Sequence, residues 1–168
     1  MLEYLENNLN PKRRKTGDCS TRALCGVINI GYNEMLLEQV NFALKTYYDT
    51  TSKQVIEKVL AKYGFVKMKQ PRKWDNTKYT VGELDEILTE KQMEQGVVVL
   101  VAHHWTCIVN GKVQDIWDCR NKTVGNYYIK QGEKYFDSID KTKEWLKENK
   151  IKKIRISHSR IFRKRGWG

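Results

Sequence analysis

One stretch, a β-branched run that feeds a hairpin, constrains this chain most. Val97-Val98-Val99-Leu100-Val101 is continuously apolar, the pattern of a strand covered on both faces rather than one washed by water on alternate residues. Beyond it come Trp105–Val109, the pair Asn110-Gly111 and Lys112–Trp117. Asn-Gly suits the type I′ turn of a two-residue hairpin, because both central residues must adopt positive φ. A sheet built on these strands needs apolar layers on both sides, and the preceding half of the chain has to supply one of them.

Helical spacing supplies it. Asp18 is placed to cap a helix over about 19–29, with Ala23, Val27 and Ile30 on the side of Cys19 and Gly31 as its stop. A second helix is expected over Asn33–Tyr48, presenting Met35, Leu36, Gln39, Val40, Ala43 and Leu44. A third begins behind Thr51 or Ser52, carries Val55, Ile56, Val59, Leu60 and Tyr63, and ends at Gly64. Phe65–Met68 is a short strand and 69–78 a polar loop; Thr80-Val81-Gly82-Glu83 is a capping box opening a short helix to about Thr89. Val124–Ile129 is a further strand, followed by a helix over 140–149 and an edge strand over 151–156. Met1–Lys15 is an extended arm. Helices first and strands after define an α+β fold, with N-terminal helices packed on a C-terminal antiparallel sheet. The expected organisation is one domain over 1–156 and a basic tail over 157–168.

Charge and cysteine content narrow the class. The 168 residues hold 31 Lys+Arg against 20 Asp+Glu, a net charge of +11. Lys12-Arg13-Arg14-Lys15 and the acid-free stretch from Lys150 to Arg165 carry much of it. Five Trp, nine Tyr and four Phe are enough aromatics for a chain that collapses. No apolar stretch approaches the length of a bilayer span. Met1–Asn10 has two Glu and no apolar core of a signal peptide, so the cytoplasm is the expected compartment, with no membrane partner. The four cysteines there are expected as thiols.

Three features carry candidate chemistry. Cys19 stands at the start of a helix, where the partial positive charge and open N–H groups favour a thiolate and can receive an oxyanion. His103-His104 follows the buried strand, and Asp115 lies on the return strand of the hairpin with Asp118 just beyond it. Nucleophile, base and an orienting carboxylate are the three parts of a thiol hydrolase. Alternation separates His103 from His104. Pairing Val109 with Lys112 brings Thr106 opposite Asp115 and leaves His104 and Asp115 as diagonal neighbours on one face. Asp118, the alternative carboxylate, turns the other way.

These segments resemble a family. Asn10-Pro11, with Thr16-Gly17-Asp18-Cys19-Ser20-Thr21-Arg22-Ala23-Leu24 after it, is similar to the nucleophile segment of small papain-like cysteine peptidases of phages and bacteria. His104-Trp105-Thr106-Cys107-Ile108-Val109-Asn110-Gly111-Lys112-Val113-Gln114-Asp115-Ile116-Trp117-Asp118 resembles their histidine hairpin. The likeness spans about 10–128. It implies a papain-like fold, a Cys19–His104–Asp115 triad acting on an amide or isopeptide bond of a protein or peptide, no cofactor, and a host-cell cytoplasm if the chain is phage-encoded. Papain-type enzymes place an oxyanion-hole Gln ahead of the nucleophile; no Gln precedes Cys19, and Asn10 is the nearest amide for that role.

Two other readings compete. A nucleic-acid-binding or inhibitory interaction protein without catalysis is suggested by the charge and by Arg160–Trp167, where cations alternate with Phe162 and Trp167. On this reading the tail recruits acidic or nucleic-acid partners. A zinc site on Cys19, Cys25, His104 and Cys107 is disfavoured, since six residues along a helix rotate two ligands about 240° apart.

Overall fold

The computed structural model describes residues 1–131. The helix expected over 140–149, the strand over 151–156, the domain boundary at 156 and the basic tail lie outside the described residues. Met1–Lys130 forms one unit by its contacts.

A six-stranded sheet carries the fold, ordered β1-β5-β4-β3-β6-β2. Its strands are β1 (Glu3–Glu6), β2 (Phe65–Met68), β3 (Val97–Val101), β4 (His104–Val109), β5 (Lys112–Asp115) and β6 (Tyr127–Lys130). The β-branched run becomes β3, in the interior of the sheet and antiparallel to both β4 and β6. A tight turn at Ala102-His103 joins it to β4, so that Val101 pairs with His104; His103 there takes a φ of 57°. The Asn110-Gly111 turn has φ of 51° and 75°, and the register across it, Val109 with Lys112 and Ile108 with Val113, is the one its sequence dictates.

The sheet is mixed rather than purely antiparallel. The N-terminal arm is a strand, β1, lying parallel to β5 with Glu3 beside Lys112 and Glu6 beside Asp115. A four-residue edge strand of mostly exposed side chains leaves little apolar periodicity to read in sequence.

Alternation in β3 and β4 divides the core into two layers. Val98, Trp105, Cys107 and Tyr128 face the helices and pack with Ala23, Leu24, Ile28, Met35, Ile56 and Leu60. Val97, Val99, Val101 and Ile108 face the other way, against Leu2, Val81, Leu84 and Val113. Each such fully buried aliphatic side chain contributes about 1.5–3 kcal/mol.

The helices on the first layer are α1 (Cys19–Val27), α2 (Tyr32–Thr46) and α3 (Lys53–Lys62). α1 ends before Asn29, and Gly31 is the N-cap of α2 rather than the stop of α1. α2 buries a narrower face than its spacing suggests: Met35 and Gln39 are inside, while Leu36, Val40 and Leu44 are exposed. Gln39 is bonded on both ends, accepting from Thr21 Oγ1 at 2.8 Å and donating to the Thr50 carbonyl at 3.0 Å. Ser52 caps α3 through Val55 N–H. The Thr80–Glu83 capping box opens a 3₁₀ helix, Val81–Glu86, and a further helix, α4 (Glu90–Gln95), starts at a second capping box, Thr89 with Gln92.

Gly26 sets how closely α1 lies on β4. A Cβ there would stand 2.6 Å from Cys107 Sγ, inside any tolerable contact. Hydrogen in place of a methyl lets α1 settle on the strand whose first residue is His104.

Candidate active site

α1, β4 and β5 converge where Cys19 begins the helix, His104 begins β4 and Asp115 ends β5. His104 Nε2 is 2.6 Å from Asp115 Oδ2, and the His104 ring faces the Cys19 thiol closely enough to lower it. With Nε2 engaged by the carboxylate, Nδ1 is the ring nitrogen left for sulfur. Trp117 lies over the imidazole, ring centroids 4.9 Å apart.

Asp115 is held on every side. Its Oδ1 accepts from the Ile116 N–H at 2.7 Å and faces Arg22 Nη2 at 3.7 Å. The Cys119 thiol donates to Oδ2 at 3.6 Å. Its main-chain carbonyl accepts from the Asn7 N–H at 2.8 Å and from Tyr4 Oη at 3.1 Å, both supplied by the parallel β1 segment. Burial works against its charge, but the bonds and charge of His104 outweigh it and hold the carboxyl below its ordinary value.

The same competition tunes the other two groups. Burial opposes a charged His104, yet hydrogen bonds to Asp115, Cys119 and Cys19 prevail and push it up to about 11. Burial likewise opposes a Cys19 thiolate. The hydrogen bonds from His104 and the Trp105 N–H, with the charges of His104 and Arg22, win and lower the thiol. Cys25 and Cys107 go the opposite way, to about 11 and about 12, driven first by burial. All four cysteines are free thiols.

Asp18 occupies the N-cap position of α1 without capping it, so its side chain does not occupy the first-turn N–H groups beside Cys19. Its carboxylate instead receives the Tyr32 hydroxyl at 2.6 Å, Asn10 Nδ2 at 2.9 Å, and the Arg22 guanidinium.

The sequence candidates separate cleanly in space. Cys19, His104 and Asp115 meet. Asp118 does not: it sits at the surface, bound through Oδ1 and Oδ2 to Arg120 at 2.9 and 2.8 Å. His103 is exposed in the β3–β4 turn. Asn10 is close to Cys19 in the fold, but its amide is bonded to Asp18 and its Oδ1 accepts from the N–H groups of Lys12 and Arg14 at 3.0 and 3.3 Å. It organises the loop ahead of the nucleophile, with its amide nitrogen engaged by Asp18 and its oxygen by two main-chain N–H groups. The four cations Lys12 to Lys15 of that loop are exposed.

Sequence reasoning missed Arg22, Cys119 and the bracing β1 segment. For Arg22 a signal existed, the i, i+4 spacing from Asp18 that pairs them on one helical face. For Tyr4 and Asn7 there was none, because their roles depend on parallel pairing across more than a hundred residues of sequence.

Ligand atoms of His104, Asp115 and Cys119 lie within 4.8 Å of one another, the one such group among the described residues; Cys25 and Cys107 are not in it. The 2.6 Å between Nε2 and Oδ2 is a hydrogen-bond distance. Two ligands sharing one tetrahedral zinc stand about 3.3 Å apart, given bonds of about 2.0 Å.

No family model, curated protein or solved structure matches the chain. Among the described residues no helix is long and apolar enough to cross a membrane.

Proposed function

We propose that this chain is a papain-like thiol hydrolase that cleaves an amide or isopeptide bond in a protein or peptide, with Cys19 as nucleophile, His104 as base and acid, and Asp115 as the carboxylate that orients it. The observation carrying this reading is that the imidazole bonded at 2.6 Å to a buried carboxylate on the neighbouring strand is also the group that lowers the thiol at the start of α1. Opposite shifts at Cys19 and at Cys25 and Cys107 single out one sulfur as the anion-prone one.

In this mechanism His104 Nδ1 holds the proton taken from Cys19. The thiolate attacks the substrate carbonyl carbon, a C–S bond forms, and the carbonyl π electrons move to oxygen. The open N–H groups at the start of α1 receive that oxyanion; Asn10 has no part in it. Collapse breaks the C–N bond as the imidazolium protonates the departing amine. Water, deprotonated by His104, then attacks the thioester and releases the acid and the thiol. Asp115 keeps Nε2 protonated throughout, so Nδ1 is the nitrogen that cycles.

The competing interaction-protein reading rests on the net charge of +11 and on Arg160–Trp167, and that segment lies outside the described residues.

Iodoacetamide labelling across pH, mapped by peptide mass, tests the proposal. Selective carboxamidomethylation of Cys19 below pH 7 supports it. Slow and equal labelling of the four thiols would sink it.

A further inference from the structure

Arg22 has no part in the mechanism above, yet it is the cation buried at the heart of the site, 5% exposed. It stands one helical turn beyond Cys19 on α1. Its Nη1 pairs with Asp18 on the same helix, and its Nη2 lies 3.7 Å from Asp115 Oδ1 on β5. Nη1 also reaches the Thr16 carbonyl at 3.4 Å. The guanidinium thus stands between two carboxylates that are themselves 8% and 4% exposed, one beside the nucleophile and one behind the base.

We propose that Arg22 is a positioning residue: by bridging Asp18 and Asp115 it fixes Asp115 behind His104 and keeps the charges of the site alternating from Asp18 to Cys19. This inference rests on reading Cys19, His104 and Asp115 as a catalytic triad.

Three physical points carry it. A buried carboxylate with fewer cations around it is driven toward its neutral form, and a protonated Asp115 no longer supplies the negative charge that stabilises the His104 imidazolium. The guanidinium is a rigid planar fork that faces two carboxylates at once, whereas an ammonium is a point charge on a flexible stem. Finally, Asp18 is adjacent to Cys19 and its charge alone would oppose a thiolate; neutralised by Arg22 and bonded by Tyr32 and Asn10, it does so far less. The titratable groups around Arg22 and Cys19 are Asp18, Tyr32 and Cys25 on the helical side, and His104, Asp115, Cys107 and Cys119 on the sheet side.

The test compares wild type with R22K and R22Q, each first checked for native circular dichroism, by the pH dependence of Cys19 carboxamidomethylation. In R22Q the midpoint of the acid limb moves up by about one pH unit, so the rate on that limb falls about tenfold. In R22K the displacement is smaller, because charge is kept and the bridge is lost. Variants that melt at lower temperature but keep the wild-type pH profile would overturn the inference and leave Arg22 as a structural ion pair. A wild-type Cys19 with no preferential labelling would instead overturn the triad reading itself. Should neither variant fold, ¹⁵N-arginine NMR of the wild-type protein decides: Arg22 Nη signals that move with the Cys19 titration support the bridge, and stationary signals refute it.

Discussion

His104 Nε2 and Asp115 Oδ2 stand 2.6 Å apart, although eleven residues and a reversal of the chain separate them. Two turns produce that distance. The Ala102-His103 turn makes His104 the first residue of β4, and the Asn110-Gly111 turn fixes the β4–β5 register so that Asp115 is the last residue of β5. Neither side chain is free to leave. Asp115 is bonded through both oxygens, and His104 is covered by Trp117. An imidazole held this way presents one nitrogen, in one orientation, to the thiol at the start of α1.

Asp115→Asn should therefore cripple turnover while Asp118→Ala leaves it nearly intact. The amide in place of the carboxylate cannot stabilise the imidazolium and favours the wrong tautomer, which costs roughly 10²–10⁴-fold in kcat, the scale of general acid–base catalysis. Asp118 pairs only with Arg120 at the surface, where substitutions stay within about 0.5 kcal/mol. Steady-state kinetics on a labelled peptide or protein substrate would check this. A collapse of kcat in Asp118→Ala with Asp115→Asn active would reassign the carboxylate.

Removing the imidazole should change the pH at which Cys19 reacts. His104 supplies both a hydrogen bond and a charge that lower this thiol, against burial that raises it. In His104→Gln burial is left with weaker opposition, so alkylation of Cys19 should begin at higher pH. Cys25 and Cys107, raised by burial, should keep their slow labelling in both proteins. A Cys19 profile indifferent to the substitution would show that His104 does not activate it.

The parts of this site legible in sequence were those governed by local rules. The Asn-Gly turn dictates the register of β4 and β5, and register dictates that Asp115 and His104 share a face. Ser52 and Thr80 announced their caps. What stayed hidden was governed by partners distant in sequence. β1 has exposed side chains and becomes a strand only because β5 offers it an edge. Asn10 carries the right functional group near the right residue, but a side-chain amide can bond a carboxylate or an oxyanion, and only the placement of Asp18 decides between them. On α2 the apolar spacing is wide enough for a buried stripe, while the packing fully buries only Met35 and Gln39 and leaves Phe42 half-covered at its edge.

Gly26 links packing to chemistry, and Gly26→Ala should impair both. The added methyl would meet Cys107 Sγ at 2.6 Å, and this sulfur is buried under α1. Overpacking of this kind costs about 1–3 kcal/mol. Relief comes from lifting α1 off β4, which also separates Cys19 from His104. Thermal unfolding should show the lost stability, and Cys19 alkylation at low pH should slow. Lower stability with unchanged Cys19 reactivity would mean that the helix yields elsewhere along its length.

The titration of His104 gives a prediction about stability whose sign can be worked out. Its folded value is pushed up to about 11 from an ordinary 6.5. A group raised on folding contributes stability that is complete below its unfolded value and is lost as pH climbs toward its folded one. Cys19 acts in the opposite direction: lowered on folding from 9.0, its thiolate adds stability as pH rises toward that value. In the wild-type protein the two slopes oppose each other below the ordinary thiol value of 9.0. Cys19→Ala removes the compensating slope and one of the three bonds that raise His104, leaving those to Asp115 and Cys119. Its unfolding free energy should therefore fall as pH rises above about 6.5, by at most about 1.4 kcal/mol per pH unit, and faster than in wild type. The double variant Cys19→Ala/His104→Gln isolates the source, because the lysines and tyrosines that also titrate there are common to both proteins. Urea unfolding at a series of pH values measures the difference. Equal slopes in the single and double variants would show that His104 carries no raised proton affinity in the fold, and that the bond to Asp115 is not the charged one argued for the triad.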